Sequence, residues 1–135
     1  MKEKDFQSIF TKWVREHKYS YTAAFELKLV DLDKKTSLSF RSFQPQQIPS
    51  LLRAKHACIY KKLSDMDPSQ KPFDALQICN SEAYVVIMFY QKRRQKIMYW
   101  VDVDDFVLMM ETCGRKSATE KMIEEICYKK YSFTK

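Results

Sequence analysis

Glu26 and Lys28 stand two residues apart inside the apolar run Ala23-Ala24-Phe25-Glu26-Leu27-Lys28-Leu29-Val30. Alternate side chains of an extended strand share a face, so the carboxylate and the amine lie side by side on one face while Phe25, Leu27 and Leu29 occupy the other. Such a pair has two uses. It is an exposed ion pair on an outer strand, which stabilises by at most about 1 kcal/mol, or it is the floor of a site. The spacing alone does not choose, because Glu16-His17-Lys18 repeats it at the end of a helical pattern.

Asp74 supplies context. It follows a proline-bearing loop in Lys71-Pro72-Phe73-Asp74 and opens a second strand pattern. If that strand neighbours the strand of Glu26, the two carboxylates converge on one divalent cation, Mg²⁺ or Mn²⁺, which keeps waters and phosphate oxygens in its remaining positions. Lys28 would then stand beside the metal, placed to stabilise charge on a phosphate or to help position a water. Two acids and a lysine are the smallest kit for metal-dependent phosphodiester hydrolysis. A turn-capping aspartate is the plainer role for Asp74. Gln46 and Gln47 stand at a helix start, where such residues are commonly just solvated; a helix beginning at Pro45 would direct an amide side chain and its positive end back toward the first hairpin. Lys34 and Lys35, and Lys92, Arg93 and Arg94 in the basic stretch Gln91–Lys96, are cations that could track a phosphate backbone; solvated turns explain them equally well.

The elements that must position these groups follow from periodicity. Phe6, Ile9, Phe10, Trp13 and Val14 recur at helical spacing and predict a helix over 3–17. A strand over 22–30, a polar turn and a strand Ser37–Phe40 read as a hairpin, although the turn lacks an Asn-Gly signal. A helix is expected from Pro45 to Lys55, since proline is tolerated in a first helical turn. Strands follow at 57–60, 73–78, 83–90 and 97–101, and the third of these, apolar throughout, should be central and buried on both faces. Asp102 or Asp104 caps a helix that Gly114 closes, and Ser117 with Glu120 fits a capping box for a last helix to about Tyr128. Tyr19, Tyr21, Tyr84, Tyr90, Tyr99 and Trp100 read as core first and base-stacking groups a remote second. The sum is one α/β domain over residues 1–135, with a mixed central sheet flanked by helices.

The totals bound the function. The chain has 135 residues, 45% apolar and 30% charged, which is the balance of a soluble globular domain. Its single glycine, Gly114, excludes a Gly-rich phosphate loop or a dinucleotide fingerprint. Cys58, Cys79, Cys113 and Cys127 form no metal-ligand spacing and are expected as reduced thiols of a cytoplasmic protein, Cys58, Cys79 and Cys127 buried as small apolar groups. No run of about 18 apolar residues suggests a membrane span. The net charge of +7 suits a polyanionic partner, or serves solubility alone in a protein-interaction domain.

The series Phe25-Glu26-Leu27-Lys28, then Lys35-Thr36-Ser37-Leu38-Ser39-Phe40, then Gln46-Gln47-Ile48 opening a helix, resembles the restriction-endonuclease-like PD-(D/E)-x-K nucleases, and within them the Holliday junction resolvases. Small phage-type resolvase-like proteins share the Lys71-Pro72-Phe73-Asp74 and Ala83-Tyr84-Val85-Val86-Ile87 pieces. The resemblance implies a restriction-endonuclease-like fold, a magnesium-dependent deoxyribonuclease acting on branched DNA in recombination or repair, and a homodimer, because a junction cutter nicks two symmetric strands. Glu26 and Lys28 match the E-x-K pair and Gln47 the glutamine of a His-Gln pair, with Gln46 standing where histidine is usual. Glu3 or Asp5 could match an acid of the first helix. The family places its metal-binding aspartate about a dozen residues before the glutamate, and the span from Val14 to Phe25 has none. A permuted site, with Asp74 in the vacant place, restores it; a non-catalytic nucleic-acid-binding relative is the alternative.

Overall fold

The computed structural model describes residues 1–17, 22–63, 67 and 69–133. Helix α1 (Glu3–His17) leads to strand β1 (Ala23–Asp31), the short β2 (Ser37–Ser39), a 3-10 turn at Phe40–Ser42 and helix α2 (Gln47–His56). Strands β3 (Cys58–Lys62), β4 (Ala75–Cys79), β5 (Glu82–Tyr90) and β6 (Lys96–Asp102) come next. Helix α3 (Val103–Thr112), β7 (Ser117–Thr119), α4 (Glu120–Ile126) and β8 (Lys129–Phe133) complete the chain. The class is mixed α/β, as expected.

The main sheet has the order β1-β5-β6-β8. Seven consecutive residues of β5, Ala83 to Phe89, are buried, which is what an apolar strand covered on both faces should show. Beneath one face lie Phe6, Phe10 and Trp13 of α1, packed on Leu27, Val86, Met88 and Trp100. Against the other lie Leu51 and Ala54 of α2, Phe106 and Met109 of α3 and Ile123 of α4, packed on Val30, Val85, Ile87 and Val101. Tyr84, Tyr99 and Trp100 are core residues; Tyr19 and Tyr21 lie outside the described residues, as do Ser64, Asp65, Met66 and Pro68 of the long loop.

Strand β1 runs parallel to β5, with Glu26 opposite Val85 and Lys28 opposite Ile87. Parallel neighbours need a long crossover, and residues 32–81 provide it. Strand β2 therefore does not form the expected hairpin with β1. It pairs antiparallel with β7, Leu38 opposite Ala118. The turn after β1 is closed by Lys34 and Lys35 donating their backbone N–H groups to the Asp31 carbonyl, while Leu32 N–H donates to Tyr90. This is not a tight two-residue connection, and it frees Leu38 to enter the core on the α2 side.

Helix α2 starts two residues later than expected, with Pro49 inside its first turn, where no N–H is required. Asp102 caps α3 through the Asp104 N–H, and Gly114 takes φ +65° just beyond its end. The cap of α4 is Thr119, whose hydroxyl accepts from the Met122 N–H, and not Ser117, which is engaged opposite Ser39 in the β2–β7 ladder. Periodicity also missed β8, which pairs with β6 where the last helix was expected to end.

Strands β3 and β4 make a separate antiparallel ladder, so β4 is not a neighbour of β1. Cys58 and Cys79 face each other across it and are joined by a disulfide. The expectation of reduced, buried thiols fails for this pair: both residues are exposed, and their opposed register brings the sulfurs together. Cys113 and Cys127 are free and half-buried. Among the described residues no helix is long and apolar enough to cross a membrane.

Candidate active site

Strand alternation puts Glu26 and Lys28 on the α2 face of the sheet, and β1 is an edge strand of that sheet. The 3-10 turn and the start of α2 close over them. Ser39 organises the turn: its hydroxyl accepts from the Arg41 N–H and its carbonyl accepts from the Ser42 hydroxyl. The Ser42 carbonyl is thereby presented to β1, and the first turn of α2 presents Gln47.

Lys28 is the one charged residue that is buried among the described residues, with 6% of its surface exposed. Burial of an ammonium is costly unless each N–H finds an acceptor. Here three acceptors meet three hydrogens: the Ser42 carbonyl at 2.9 Å, Gln47 Oε1 at 3.1 Å and Glu26 Oε1 at 3.2 Å. The Phe43 ring adds a cation–π contact, its centroid 4.8 Å from Nζ. Gln47 ties the group together. Its Nε2 donates to Glu26 Oε1 at 2.8 Å, and its Oε1 also accepts from the Gln44 N–H at 2.8 Å. A flipped amide would set its NH₂ against the Lys28 ammonium and the Gln44 N–H, so the network fixes which atom is oxygen.

The cluster thus has a single negative group, the Glu26 carboxylate, whose Oε1 holds two donors while Oε2 takes part in neither contact. The Glu26 side chain keeps 20% of its surface open at the sheet edge. A partly open carboxylate beside a fixed ammonium can accept a cation or a proton on one oxygen and order an anionic phosphate with the neighbouring charge.

Of the residues singled out in the sequence, Glu26, Lys28 and Gln47 come together. Asp74 does not join them. It precedes β4 in the separate ladder, its side chain is 96% exposed, and it pairs with Lys71 at 3.0 Å. The sheet contact that would have brought it to Glu26 does not form, because β1 takes β5 as its partner. Gln46 is exposed and donates to Gln44 Oε1. Lys34 and Lys35 are exposed in the turn after β1. Lys92, Arg93 and Arg94 lie on the β5–β6 turn, where Arg94 is engaged with Glu120. Glu3 and Asp5 belong to the first turn of α1, across the sheet from Glu26, and Asp5 accepts from the Lys2 N–H.

Among the described residues no group of three or more His, Cys, Asp or Glu side chains could hold a metal. One carboxylate and a neutral amide fit a divalent ion only where waters and substrate phosphate oxygens complete its shell, as Mg²⁺ commonly accepts.

Two further polar clusters escaped sequence reasoning. Lys55 Nζ bonds both Asp102 oxygens at 2.8 Å and pairs with Asp104, which also meets His56 Nε2 at 2.9 Å. The hydrogen bond from Lys55 holds the Asp104 carboxyl below its ordinary value of 3.8, with His56 adding to the effect. Burial alone would lower Lys55, but its bonds to Asp102 and Asp104 together outweigh it and hold it above 10.5. Second, Glu120 Oε1 accepts from Tyr99 and from Arg94; burial first, and then this carboxylate, push the Tyr99 phenol up. No local spacing announces partners 47 or 21 residues apart. Asp102, Asp104 and Asp105 nonetheless form the acidic first turn expected of them.

No protein-family model matches the chain, and neither a curated protein nor a solved structure gives a significant match.

Proposed function

We propose that the protein is a metal-dependent DNA endonuclease of the restriction-endonuclease-like type, directed at branched DNA as a Holliday junction resolvase is, and acting as a homodimer. What supports this is one observation: an E-x-K pair and the glutamine of a following helix, remote in sequence, interlock through Glu26 Oε1. A surface ion pair would not need a buried lysine with three acceptors. Glu26 is the carboxylate that would hold Mg²⁺ or Mn²⁺, and the ion would supply Lewis-acid polarisation of a phosphate. The chain's own groups do the rest. Lys28 fixes a positive charge beside the phosphate site, Gln47 keeps Glu26 and Lys28 in register, and the exposed Lys34, Lys35, Lys92 and Arg93 draw in the DNA backbone. Asp74 would be the second carboxylate if the β3–β4 ladder moves toward α2 when DNA binds.

The ion pair of Asp74 with Lys71, away from a site that has only one carboxylate, favours a second function: a DNA-binding relative without catalysis. Cleavage of supercoiled plasmid and of a synthetic four-way junction, with Mg²⁺ or Mn²⁺, decides. The nuclease shows metal-dependent cuts in the unmodified protein that disappear in Glu26→Gln and Lys28→Met, with DNA binding retained. Binding without any cut establishes the second function, and cuts that persist in both variants overturn the site.

A further inference from the structure

On the sheet face opposite Glu26, a cleft of about 600 Å³ opens between the end of α1, the β5–β6 turn and the end of β8. Its volume falls in the range of small-ligand sites. Lys12, Arg93 and Lys96 line it, and its one carboxylate is Glu16, 3.9 Å from Lys12. Arg94 also lines it but is committed to Glu120. Among the described residues no carboxylate pairs with Arg93 or Lys96, so the cleft carries an unbalanced positive charge.

Aromatic groups complete it. His17 stacks on the buried Trp13 at 4.5 Å with the planes 9° apart, which leaves the outer face of the His17 ring to the cleft, and Phe133 of β8 also lines it. His17 Nδ1 lies 2.9 Å from the Trp13 carbonyl, which can only accept; Nδ1 therefore carries the hydrogen and Nε2 is left for a ligand. Arg93 has φ 68°, a left-handed conformation that Gly or Asn adopts at least cost, in the turn between β5 and β6.

We propose that this cleft binds a nucleotide unit, its phosphate against Arg93, Lys96 and Lys12 and its base against Phe133 and the outer face of His17, which Trp13 backs. Cations interleaved with ring faces are the means by which single strands are held without sequence preference. A free nucleotide and one unit of a nucleic-acid strand share this chemistry. Lys4 and Arg15 continue the basic stripe along the exposed side of α1 beside Lys12, which suits a strand running on past the cleft. The cleft shares Arg93 with the cations that the proposed function gives to the DNA backbone, but it lies across the sheet from Glu26 and its binding is read without cleavage.

Trp13 reports on it through the stacked His17 ring, since it lines the cleft with 9% of its surface exposed, whereas Trp100 is 2% exposed in the core. The intact protein is titrated with adenosine 5′-monophosphate, with a short oligothymidylate and with inorganic phosphate, and tryptophan emission is followed. Saturable quenching by the mononucleotide or the oligonucleotide, absent in Trp13→Phe, supports the site and names its source. In Arg93→Asn the melting temperature should hold or rise while affinity falls about fivefold, and the salt dependence of oligonucleotide binding should lose about one unit of slope. Glu26→Gln should leave the quenching unchanged, so that loss of cleavage and loss of this site are told apart. No saturable quenching by either nucleotide, equal quenching by phosphate alone, or full affinity in both Arg93→Asn and Lys96→Gln would overturn the proposal.

Discussion

Replacing Lys28 by Met tests whether the Glu26–Lys28–Gln47 cluster is one energetic unit. At 3.2 Å the gross attraction of the two charges is about 5 kcal/mol with an effective dielectric near 20. Most of that is offset by the desolvation of a lysine that is 6% exposed. What the substitution exposes is the penalty on the groups left behind. Met fills the volume of the side chain, but the Ser42 carbonyl loses its ammonium donor and Glu26 keeps only Gln47 Nε2. Breaking a buried pair costs about 3–5 kcal/mol, and Glu26, open on one side, can rehydrate, so about 3 kcal/mol is expected. Glu26→Gln should cost a similar amount, about 3 kcal/mol: the amide oxygen still accepts from Lys28 and Gln47, but the buried ammonium loses its counter-charge. The double variant Glu26→Gln/Lys28→Met should cost about 2 kcal/mol less than the sum of the two, since contacting groups do not add. Urea unfolding of the four proteins, followed by far-UV circular dichroism, gives each value. A coupling below about 0.5 kcal/mol would refute the cluster as a unit and return Glu26 and Lys28 to an ordinary surface pair.

Asp104, held low by Lys55 and His56, contributes stability that is present above its ordinary value of 3.8 and is lost as pH falls through its depressed folded-state value. Acid unfolding should therefore start at higher pH in the unmodified protein than it would without that carboxylate's titration, and Asp104→Asn should flatten the stability curve below about pH 4; an unchanged acid limb would contradict the linkage. Two of the four thiols should react with a thiol reagent in the unfolded, unreduced chain and all four after reduction, while four reactive thiols at the outset would show the Cys58–Cys79 bond to be absent. Reduction should loosen β3–β4 without melting the main sheet, seen as faster amide exchange confined to 58–62 and 75–79. Asp74→Asn should change folding stability by less than about 0.5 kcal/mol, since its side chain is 96% exposed, and the cleavage assay alone shows whether its carboxylate is used.

The main architecture was legible where one rule dominates. The stripe of Phe6, Phe10 and Trp13 fixed α1 to the residue, and unbroken apolarity placed β5 at the centre. The strand alternation that put Glu26 beside Lys28 survived folding, and Gln47 arrived because the helix it opens packs on the same face. Pairing was less legible. A three-residue strand such as Ser37–Ser39 carries too little pattern to name its partner, and its true mate lies 80 residues away in β7. Ser117 looked like a cap because its side chain chemistry fits one; the ladder used its backbone first and moved the cap to Thr119. The acceptor at the Ser42 carbonyl was beyond reach for a different reason, since a backbone oxygen has no signature in sequence at all. Cys58 and Cys79 show the same limit, because only the register of two short strands tells that they are opposed.

Reach does not rule Asp74 out of the site. The β3–β4 ladder is anchored at the carboxyl end of α2, where Asn80 N–H donates to Ala57 and Ser81 N–H to Ala54, and where the Cys58–Cys79 bond ties its two strands. Asp74 lies at the other end of the ladder, beside Leu63, whose N–H donates to the Asp74 carbonyl. Five paired residues of strand span about 17 Å, and the ten residues of α2 span about 15 Å. A ladder hinging at its anchor and lying back along α2 would thus carry Asp74 to the level of Gln47, at the helix's opposite end. Among the described residues, the exposed pair with Lys71, worth at most about 1 kcal/mol, and the packing of Ile59 and Ile78 on the core oppose that motion. Loss of cleavage in Asp74→Asn, with folding and DNA affinity intact, would mean that the site closes only on its substrate, whereas full cleavage would leave Glu26 as the sole carboxylate the reaction needs from this chain.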